Sequence, residues 1–492
     1  MSQLNSFRGS CEYRLLTVCG SAVTIGFMPS TIHAGQSMPS RPVAAARVSQ
    51  GEDSLAPFNP ALLLVGFTAA IIFAGAVLLW LPSSASGGRA SLLDALFTSA
   101  SAATTTGLTV QNTAGFWSYT GQNVIMWLML IGGAGSLIAS TMLLLLIARR
   151  VTTEDRFLLK EFTGVQGTRG MILLMLGVVV YALLAQLLGS FLLSRELSAS
   201  MPPEQASWFG RFHAASAFNN AGFDLMGMDR NMPSTLVQLT LTGLTILGGL
   251  GFIVFLDLPR GIFRRSLALD TKMVLAGTAA LILVGMVAIL ATESSNSQTL
   301  GPLALPQKVV SALFHSVSAR TSGMATANLG LFVNATLLLI IALMFIGGAS
   351  GSTAGGIKVN TFVLLLGVTK SFIRGKAHPS LFGVKIGEEH VNRALAIAFL
   401  SALLIFAVTM ALSMTEGTEG QSLLPLLFET VSAFSTTGLS MGITSNLTAA
   451  GKLLIVFVMF AGKVGPVTLA FALSQRQRPS YHIYAEEAVN LG

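Results

Sequence analysis

Four times in this chain a short polar segment, opening on phenylalanine and closing near glycine, interrupts long apolar sequence. The copies read FTSASAATTTGLT (97–109), FHAASAFNNAGFD (212–224), FHSVSARTSGMA (314–325) and FETVSAFSTTGLS (428–440). Their glycines are Gly107, Gly222, Gly323 and Gly438, at steps of 115, 101 and 115 residues. Recurrence at such intervals marks one structural unit used four times. In lipid, irregular backbone survives only where it is buried in protein or lines a water-filled path. Four such segments can surround one axis, so a single chain can build a pore.

Composition supports a membrane setting. Apolar residues make up 52% of 492 and charged ones 10%, against roughly a quarter charged in a soluble domain, and the mean hydropathy is +0.71. Eight apolar runs are long enough, or nearly so, to cross a bilayer: 60–80, 124–147, 171–193, 236–256, 273–291, 331–368 (interrupted), 394–412 and 453–473. The connections after the even-numbered runs, with the C-terminal tail, hold sixteen Lys and Arg. The connections that carry the polar segments hold seven. By the positive-inside rule the polar segments open outward and both termini are cytoplasmic, as in a multi-pass protein of the plasma (inner) membrane. The net charge of +8 is therefore topological, and a nucleic-acid partner is not expected. Cys11 and Cys19 both fall in the N-terminal arm and make no disulfide framework for the core, and no metal-site spacing occurs.

The expected architecture is all-α and integral to the membrane: four repeats of membrane helix, pore loop and membrane helix, with eight spanning helices around one pseudo-fourfold pore. The repeats occupy 58–160, 161–268, 269–388 (with a broken last helix) and 389–475. A disordered cytoplasmic arm (1–57) precedes them and a cytoplasmic tail (476–492) follows. The arm carries a short apolar run, 15–28, for which a cleaved signal or a misassigned start are alternative readings.

In each polar segment the glycine follows the phenylalanine (Phe97, Phe212, Phe314, Phe428) by ten residues, or by nine in the third copy. About ten residues make a helix of roughly 15 Å, half a bilayer. A re-entrant half-helix that descends from outside and ends at the glycine would aim the negative end of its dipole at the membrane centre, which favours a cation. Beyond it the chain must turn back extended, with carbonyls facing the axis, and glycine permits such a turn. Carbonyl rings replace the hydration shell of K⁺ in channels. The expected filter comprises Thr105, Thr106, Gly107 and Leu108; Asn220, Ala221, Gly222 and Phe223; Thr321, Ser322, Gly323 and Met324; and Thr436, Thr437, Gly438 and Leu439. Hydroxyls of Thr105, Thr106, Ser322, Thr436 and Thr437 are expected to add to it. Only Asp224 brings a carboxylate near, which suits a dehydrated monovalent cation better than Ca²⁺. Glycines that merely pack helices would not recur at four matching places.

Two further features lie on the other side of these segments. The sixth apolar run is broken by Gly347, Gly348, Ala349, Ser350, Gly351, Ser352, Thr353, Ala354, Gly355 and Gly356. Clustered glycine disfavours helix, so this stretch reads as a flexible constriction below the filter, a tight helix crossing being the alternative. GGAGS (132–136) and GGLGF (248–252) are milder versions. Lys463 stands mid-run in AGKVGPVTLA, where a charge is expensive and usually functional, unless it snorkels to the headgroups. Lys358 is expected to snorkel. Arg320 is expected behind the filter, with Glu429 at the start of the fourth half-helix as its counter-charge. His213 and His315 are read as capping or packing residues rather than metal ligands.

SAFNNAGF, SARTSGM and SAFSTTGLS, with the first copy in order, resemble the pore loops of the Ktr/Trk/HKT superfamily of K⁺ transporters over residues 58–475. Eight runs resemble most the bacterial KtrB-type membrane subunit. The resemblance implies that the four glycines line a selectivity filter holding K⁺ by backbone carbonyls, that 347–356 is an intramembrane gate loop, and that Lys463 is a gate charge where the family has arginine. Some Na⁺-favouring plant relatives have serine at the first glycine, and Gly107 argues for K⁺. The resemblance also implies a homodimer and a cytosolic nucleotide-binding regulatory ring of the KtrA/TrkA type. This chain has no GxGxxG strand–turn–helix unit, so nucleotide would act only through that separate subunit. No tightly bound cofactor is expected; K⁺ is the cargo and Na⁺ a candidate activator. The alternatives are a Na⁺-permeable or weakly selective member of the same superfamily and, remotely, an intramembrane serine protease using Ser350 and His315.

Overall fold

The computed structural model describes residues 60–135, 167–228, 232–252, 254–255, 257–258, 261, 267–376, 378–416 and 422–465. The expected arm with its two cysteines, the C-terminal tail and most basic residues after the second apolar run lie outside the described residues. The described residues all belong to one compact unit.

The described chain is a succession of helices in four similar units. The first unit holds α1 (Pro60–Trp80), α2 (Leu92–Ala103) and α3 (Tyr119–Leu130). The second holds α4 (Gly167–Leu197), α5 (Pro203–Phe218) and α6 (Thr235–Gly249). The third holds α7 (Leu269–Glu293), α8 (Leu305–Thr321), α9 (Asn334–Phe345) and α10 (Val359–Ile373). The fourth holds α11 (Glu388–Glu416), α12 (Leu423–Phe434) and α13 (Ala449–Val464). Between α10 and α11 the strands β1 (Ser380–Leu381) and β2 (Val384–Lys385) pair antiparallel. The turn residues Phe382 and Gly383 both have positive φ, 48° and 82°, as a two-residue hairpin loop demands. The all-α expectation missed this hairpin.

The units close on themselves. The short middle helix of each unit packs on that unit's first helix, and the following helix reaches the short helix of the next unit. Thus α3 meets α5, α6 meets α8, α9 meets α12, and α13 returns to α2. The last contact carries an ion pair, Lys452 Nζ to Asp94 Oδ1 at 3.4 Å. One apolar core runs through this closure, from Leu79 and Phe97 in the first unit to Phe428 and Ile455 in the fourth.

Among the described residues three helical stretches are long and apolar enough to cross a membrane: Leu176–Leu197, Leu269–Glu293 and Glu388–Glu416. They belong to the first helices of units two to four. Eight spans were expected; α1 is 21 residues long, and the helices that follow the polar segments are shorter for a common reason. Glycine interrupts the helix after the polar segment in every unit, not only in the third. α3 passes into a π-turn at Ile131–Gly135 with Gly133 non-helical. α6 stops at Gly249 and Gly251 has φ +79°. Residues 346–358 separate α9 from α10, and Gly465, at φ 92°, caps α13. In three units a glycine also brings this helix onto the short one. A Cβ on Gly132, Gly248 or Gly462 would collide with the carbonyl of Ala103, Phe218 or Phe434, the last residue of α2, α5 or α12.

Candidate functional site

The short helices α2, α5, α8 and α12 are 12, 16, 17 and 12 residues long. They begin well before the phenylalanines, on Ser or Pro signals. Ser91 Oγ accepts from the Asp94 amide at 3.0 Å, and α5 and α8 carry Pro in the first turn. Phe97, Phe212, Phe314 and Phe428 are therefore buried inside the helices rather than at their starts. Nor do the helices reach the glycines, as had been expected. They stop at Ala103, Phe218, Thr321 and Phe434.

The turn between helix and glycine is built alike in three units. Thr105, Asn220 and Thr436, each two residues before the glycine, adopt left-handed backbone with φ of 55°, 54° and 49°. The next amide then bonds back to a serine carbonyl: Thr106 to Ser101 (2.7 Å), Ala221 to Ser216 (2.8 Å) and Thr437 to Ser432 (2.9 Å). Such a left-handed residue with a long-range amide bond is how helices satisfy their last carbonyls. The third copy lacks one residue and no left-handed step occurs there. The Gly323 amide itself bonds Ser318 O, at 3.2 Å.

The serines of these four copies carry a role that the sequence pattern alone does not assign. Ser101 Oγ and Ser432 Oγ accept from the Gly107 and Gly438 amides, both at 3.0 Å. Ser216 Oγ donates to Phe223 O at 2.9 Å, and Ser318 Oγ to Met324 O. Each serine pins the backbone at or just beyond its glycine from behind. The Ser-Ala pair recurring in all four copies was the available signal.

The glycines have φ of 90°, 74°, 71° and 91°, a region in which side chains are strained. They also converge. A Cβ on Gly107 would collide with Ala221 O, one on Gly222 with Ser322 O (2.6 Å), one on Gly323 with Thr437 O, and one on Gly438 with Thr106 O. The carbonyl preceding each glycine thus approaches the glycine of a neighbouring unit, in the order one, two, three, four and back to one. Leu108, Phe223, Met324 and Leu439 are packed in the apolar core, so only their backbones are left for the ring. A cavity of about 340 Å³ opens onto Gly107, Gly323 and Gly438 and is bordered by Thr109, Ser440 and Thr444, with no carboxylate in its lining.

The hydroxyls behave differently from expectation. Thr106 Oγ1 pairs with Thr104 Oγ1 at 2.7 Å and Thr437 Oγ1 with Ser435 Oγ at 2.8 Å, so both are used within their own turns. Ser322 Oγ and Thr436 Oγ1 are buried without a partner.

The glycine-rich stretch 347–356 lies against the other side of these turns. It is clasped by unit two: the Ala349 amide donates to Gly249 O at 2.9 Å, and the Thr353 hydroxyl lies 3.3 Å from both Phe218 O and Gly248 O. It reaches unit four, where a Cβ on Gly355 would strike Thr436 and one on Gly356 would press on Ser435. Its ends meet in a parallel bridge, Ile346 to Ile357.

Lys463 does not snorkel. Its ammonium donates to Thr105 Oγ1 at 2.8 Å and Thr353 O at 2.9 Å, bridging the first turn and the loop. Lys358 does not snorkel either, and its ammonium donates to the adjacent loop carbonyl, Ala354 O, at 2.5 Å. The expected Arg320–Glu429 pair is absent. Arg320 donates to Gly347 O at 3.2 Å. Glu429, seventh residue of α12 rather than its first, accepts from Ser440 at 2.9 Å and from Thr444.

Glu429 belongs with two histidines at the equivalent place. His213 Nε2 lies 2.9 Å from Asp224 Oδ1 and 3.1 Å from the Leu225 amide. His315 Nε2 accepts from the Thr326 amide at 3.4 Å. All three hold the segment that leaves the glycine, a role beyond capping or packing. No group of His, Cys, Asp and Glu among the described residues could hold a metal. Ser350 and His315 form no dyad: the Ser350 amide bonds Asn360, and His315 Nδ1 lies 2.8 Å from Ser311 O.

Helices closed into a ring, with short helices aimed at a knot of glycines, define a helical membrane protein of the transport class. The chain belongs to the TrkH family of cation transport proteins, whose sequence profile matches residues 43–482. It is 36% identical to Ktr system potassium uptake protein B of Bacillus subtilis, covering 85% of this chain and 94% of that one. It is 37% identical to the potassium/sodium uptake protein NtpJ of Enterococcus hirae, covering 88% and 96%. The crystal structure of the potassium transporter TrkH from Vibrio parahaemolyticus superposes with a TM-score of 0.67 over 86% of both chains at 19% identity, a likeness of fold. The relatives are transporters, so the protease alternative falls and the chain is not an enzyme.

Proposed function

We propose that this chain is the ion-conducting membrane subunit of a Ktr-type K⁺ uptake system. In this reading the four units are helix, re-entrant loop and helix, giving eight spans around one axis with both termini cytoplasmic. The observation that carries it is the closed circuit of glycines, in which each unit presents a carbonyl to its neighbour in chain order. A cation leaving the outer cavity would exchange its water for those oxygens. Four short helices present their C-terminal ends to the same place, which favours positive charge there. The serines behind the turns fix the carbonyls so that they need not reorganise around the ion.

The loop 347–356 is then the gate beneath the filter, and Lys463 the charge that holds it shut. Two such chains would pair in the membrane under a cytosolic nucleotide-binding ring, in keeping with the name of the Bacillus relative as part of a system. The similarity to a potassium/sodium uptake protein supports a second reading, a Na⁺-permeable transporter with the same pore.

Flux into liposomes holding the full-length chain, compared for K⁺, Rb⁺ and Na⁺, separates them. The expected order is K⁺ near Rb⁺ and well above Na⁺. Equal Na⁺ flux establishes the second reading, and no flux of any of the three, with and without the regulatory partner, removes both.

A further inference from the structure

The loop beneath the glycine ring is tied to the filter itself as well as to the helices around it. Three quarters of the ring contain a left-handed residue that is not glycine, and all three of these residues meet the loop. Asn220 Nδ2 donates to the Thr353 hydroxyl at 2.7 Å. Thr105 Oγ1 lies 3.3 Å from the Thr353 carbonyl. Thr436 occupies the space that a Cβ on Gly355 would need. Left-handed backbone at Thr and Asn is unfavourable and persists only where the surroundings over-determine it.

Thr353 is the junction. Its carbonyl receives Lys463 from unit four and faces Thr105 from unit one. Its hydroxyl accepts from Asn220 and has one proton for Phe218 O or Gly248 O, carbonyls at the ends of α5 and α6 that have no partner within their helices. Asn220 and Thr105 are fully buried, so no solvent replaces the partner that Thr353 supplies. A loop that moved away would leave Asn220 Nδ2 only the Phe218 carbonyl at 3.4 Å, and would leave Thr105 Oγ1 the Thr104 carbonyl at 2.7 Å and the Lys463 ammonium.

We infer that Thr353 is a positioning residue for selectivity: it holds Thr105 and Asn220 in their left-handed turns, so the gate cannot open without loosening the floor of the filter. Opening then lowers K⁺ over Na⁺ discrimination as it raises flux. The inference rests on the filter-and-gate reading above, and the two fail differently.

Thr353→Val keeps the side-chain shape and the carbonyl and deletes the hydroxyl. The readout is Rb⁺ uptake by liposomes holding the full-length chain without any partner, with K⁺ and Na⁺ as competitors. The variant is expected to take up Rb⁺ faster while its K⁺ over Na⁺ preference falls about tenfold, the scale of one lost buried hydrogen bond. Thr353→Ser restores both. Faster uptake with an unchanged preference overturns the coupling and leaves the gate standing. No change in either overturns coupling and gate together. Should Thr353→Val fail to reach the membrane, Asn220→Ala reads the same link from the filter side, and an undiminished K⁺ preference there overturns the inference.

Discussion

The two sides of the glycine ring are built on different plans. On the cavity side the same contacts recur: a serine behind each glycine, and His213, His315 or Glu429 holding the departing segment in three of the four units. On the loop side there is one device. A single stretch from unit three lies under the turns and is held by Lys463 from unit four and by Asn220 and Gly249 from unit two. Repetition suits a property that must be equal all round an ion, such as the spacing of carbonyls. A switch has no such need, and one insertion in one unit is enough.

The largest effect is expected where repetition leaves no room. Gly438 and Gly442 both have φ 91°, but a Cβ on Gly438 meets the Thr106 carbonyl whereas nothing lies within 4 Å of one on Gly442. Gly442→Ala carries the backbone strain alone, about 1–2 kcal/mol, and should leave K⁺ over Na⁺ preference unchanged. Gly438→Ala adds displacement of a ring carbonyl and should lower K⁺ flux by about 100-fold, each factor of ten being ~1.4 kcal/mol. Equal effects at the two glycines, in liposome flux, would show that crowding at the ring is irrelevant. Next comes the single device. Lys463→Met keeps length and removes the ammonium that ties Thr105 to Thr353. Basal K⁺ flux without a partner should rise about tenfold, as expected for losing charge-assisted hydrogen bonds of ~1.5–3 kcal/mol. A parent-like rate would remove Lys463 from the proposed gate.

Much of this was readable from residues alone, for a physical reason. Features set by local backbone chemistry repeat in the sequence, so the four glycines, the short helices between longer ones and the break at 347–356 stood out. The helix starts differ from the expected ones because apolar residues before each phenylalanine continue the helix back to Pro203, Pro306, Ser91 and Ser422, which mark earlier beginnings. Long-range partners were not legible. Lys463 meets Thr105 across 358 residues, and no local pattern names that partner. Arg320 and Glu429 looked complementary by charge, yet each found neutral partners nearer by. The glycine interruptions in units one, two and four are harder to read because one or two glycines are tolerated in helices. Their purpose, contact with the carbonyl ending each short helix, is visible only once the helices are packed.

A smaller effect tests how far the repetition of the cavity side extends. In units two to four an acid at the C-terminal end of the first helix engages the start of the helix that follows the polar segment. Glu196 accepts from Ser234 at 2.8 Å. Glu293 accepts from the Val333 amide, Thr336, Asn296 and Thr299 at 2.5–2.9 Å. Glu416 accepts from the Thr448 amide and hydroxyl at 3.0 and 2.6 Å. The first unit has no such acid, and Ser118 there bonds the Ser83 and Ser84 carbonyls. An anion at a helix start is favourable, and its worth grows with burial and with the number of donors left stranded on its removal. Glu293 is fully buried with four donors and Glu416 is 3% exposed with fewer, while Glu196 is half-buried with one. Glu293→Ala should therefore destabilise by about 2–3 kcal/mol, Glu416→Ala by somewhat less, and Glu196→Ala by about 0.5 kcal/mol. Thermal unfolding in detergent reads that order directly. All three should leave ion preference at the parent value, because these clamps fix helix to helix and touch no ring carbonyl. A change of preference on losing Glu293 would mean that the helix-to-helix scaffold, and not the serines alone, sets the spacing of the ring carbonyls.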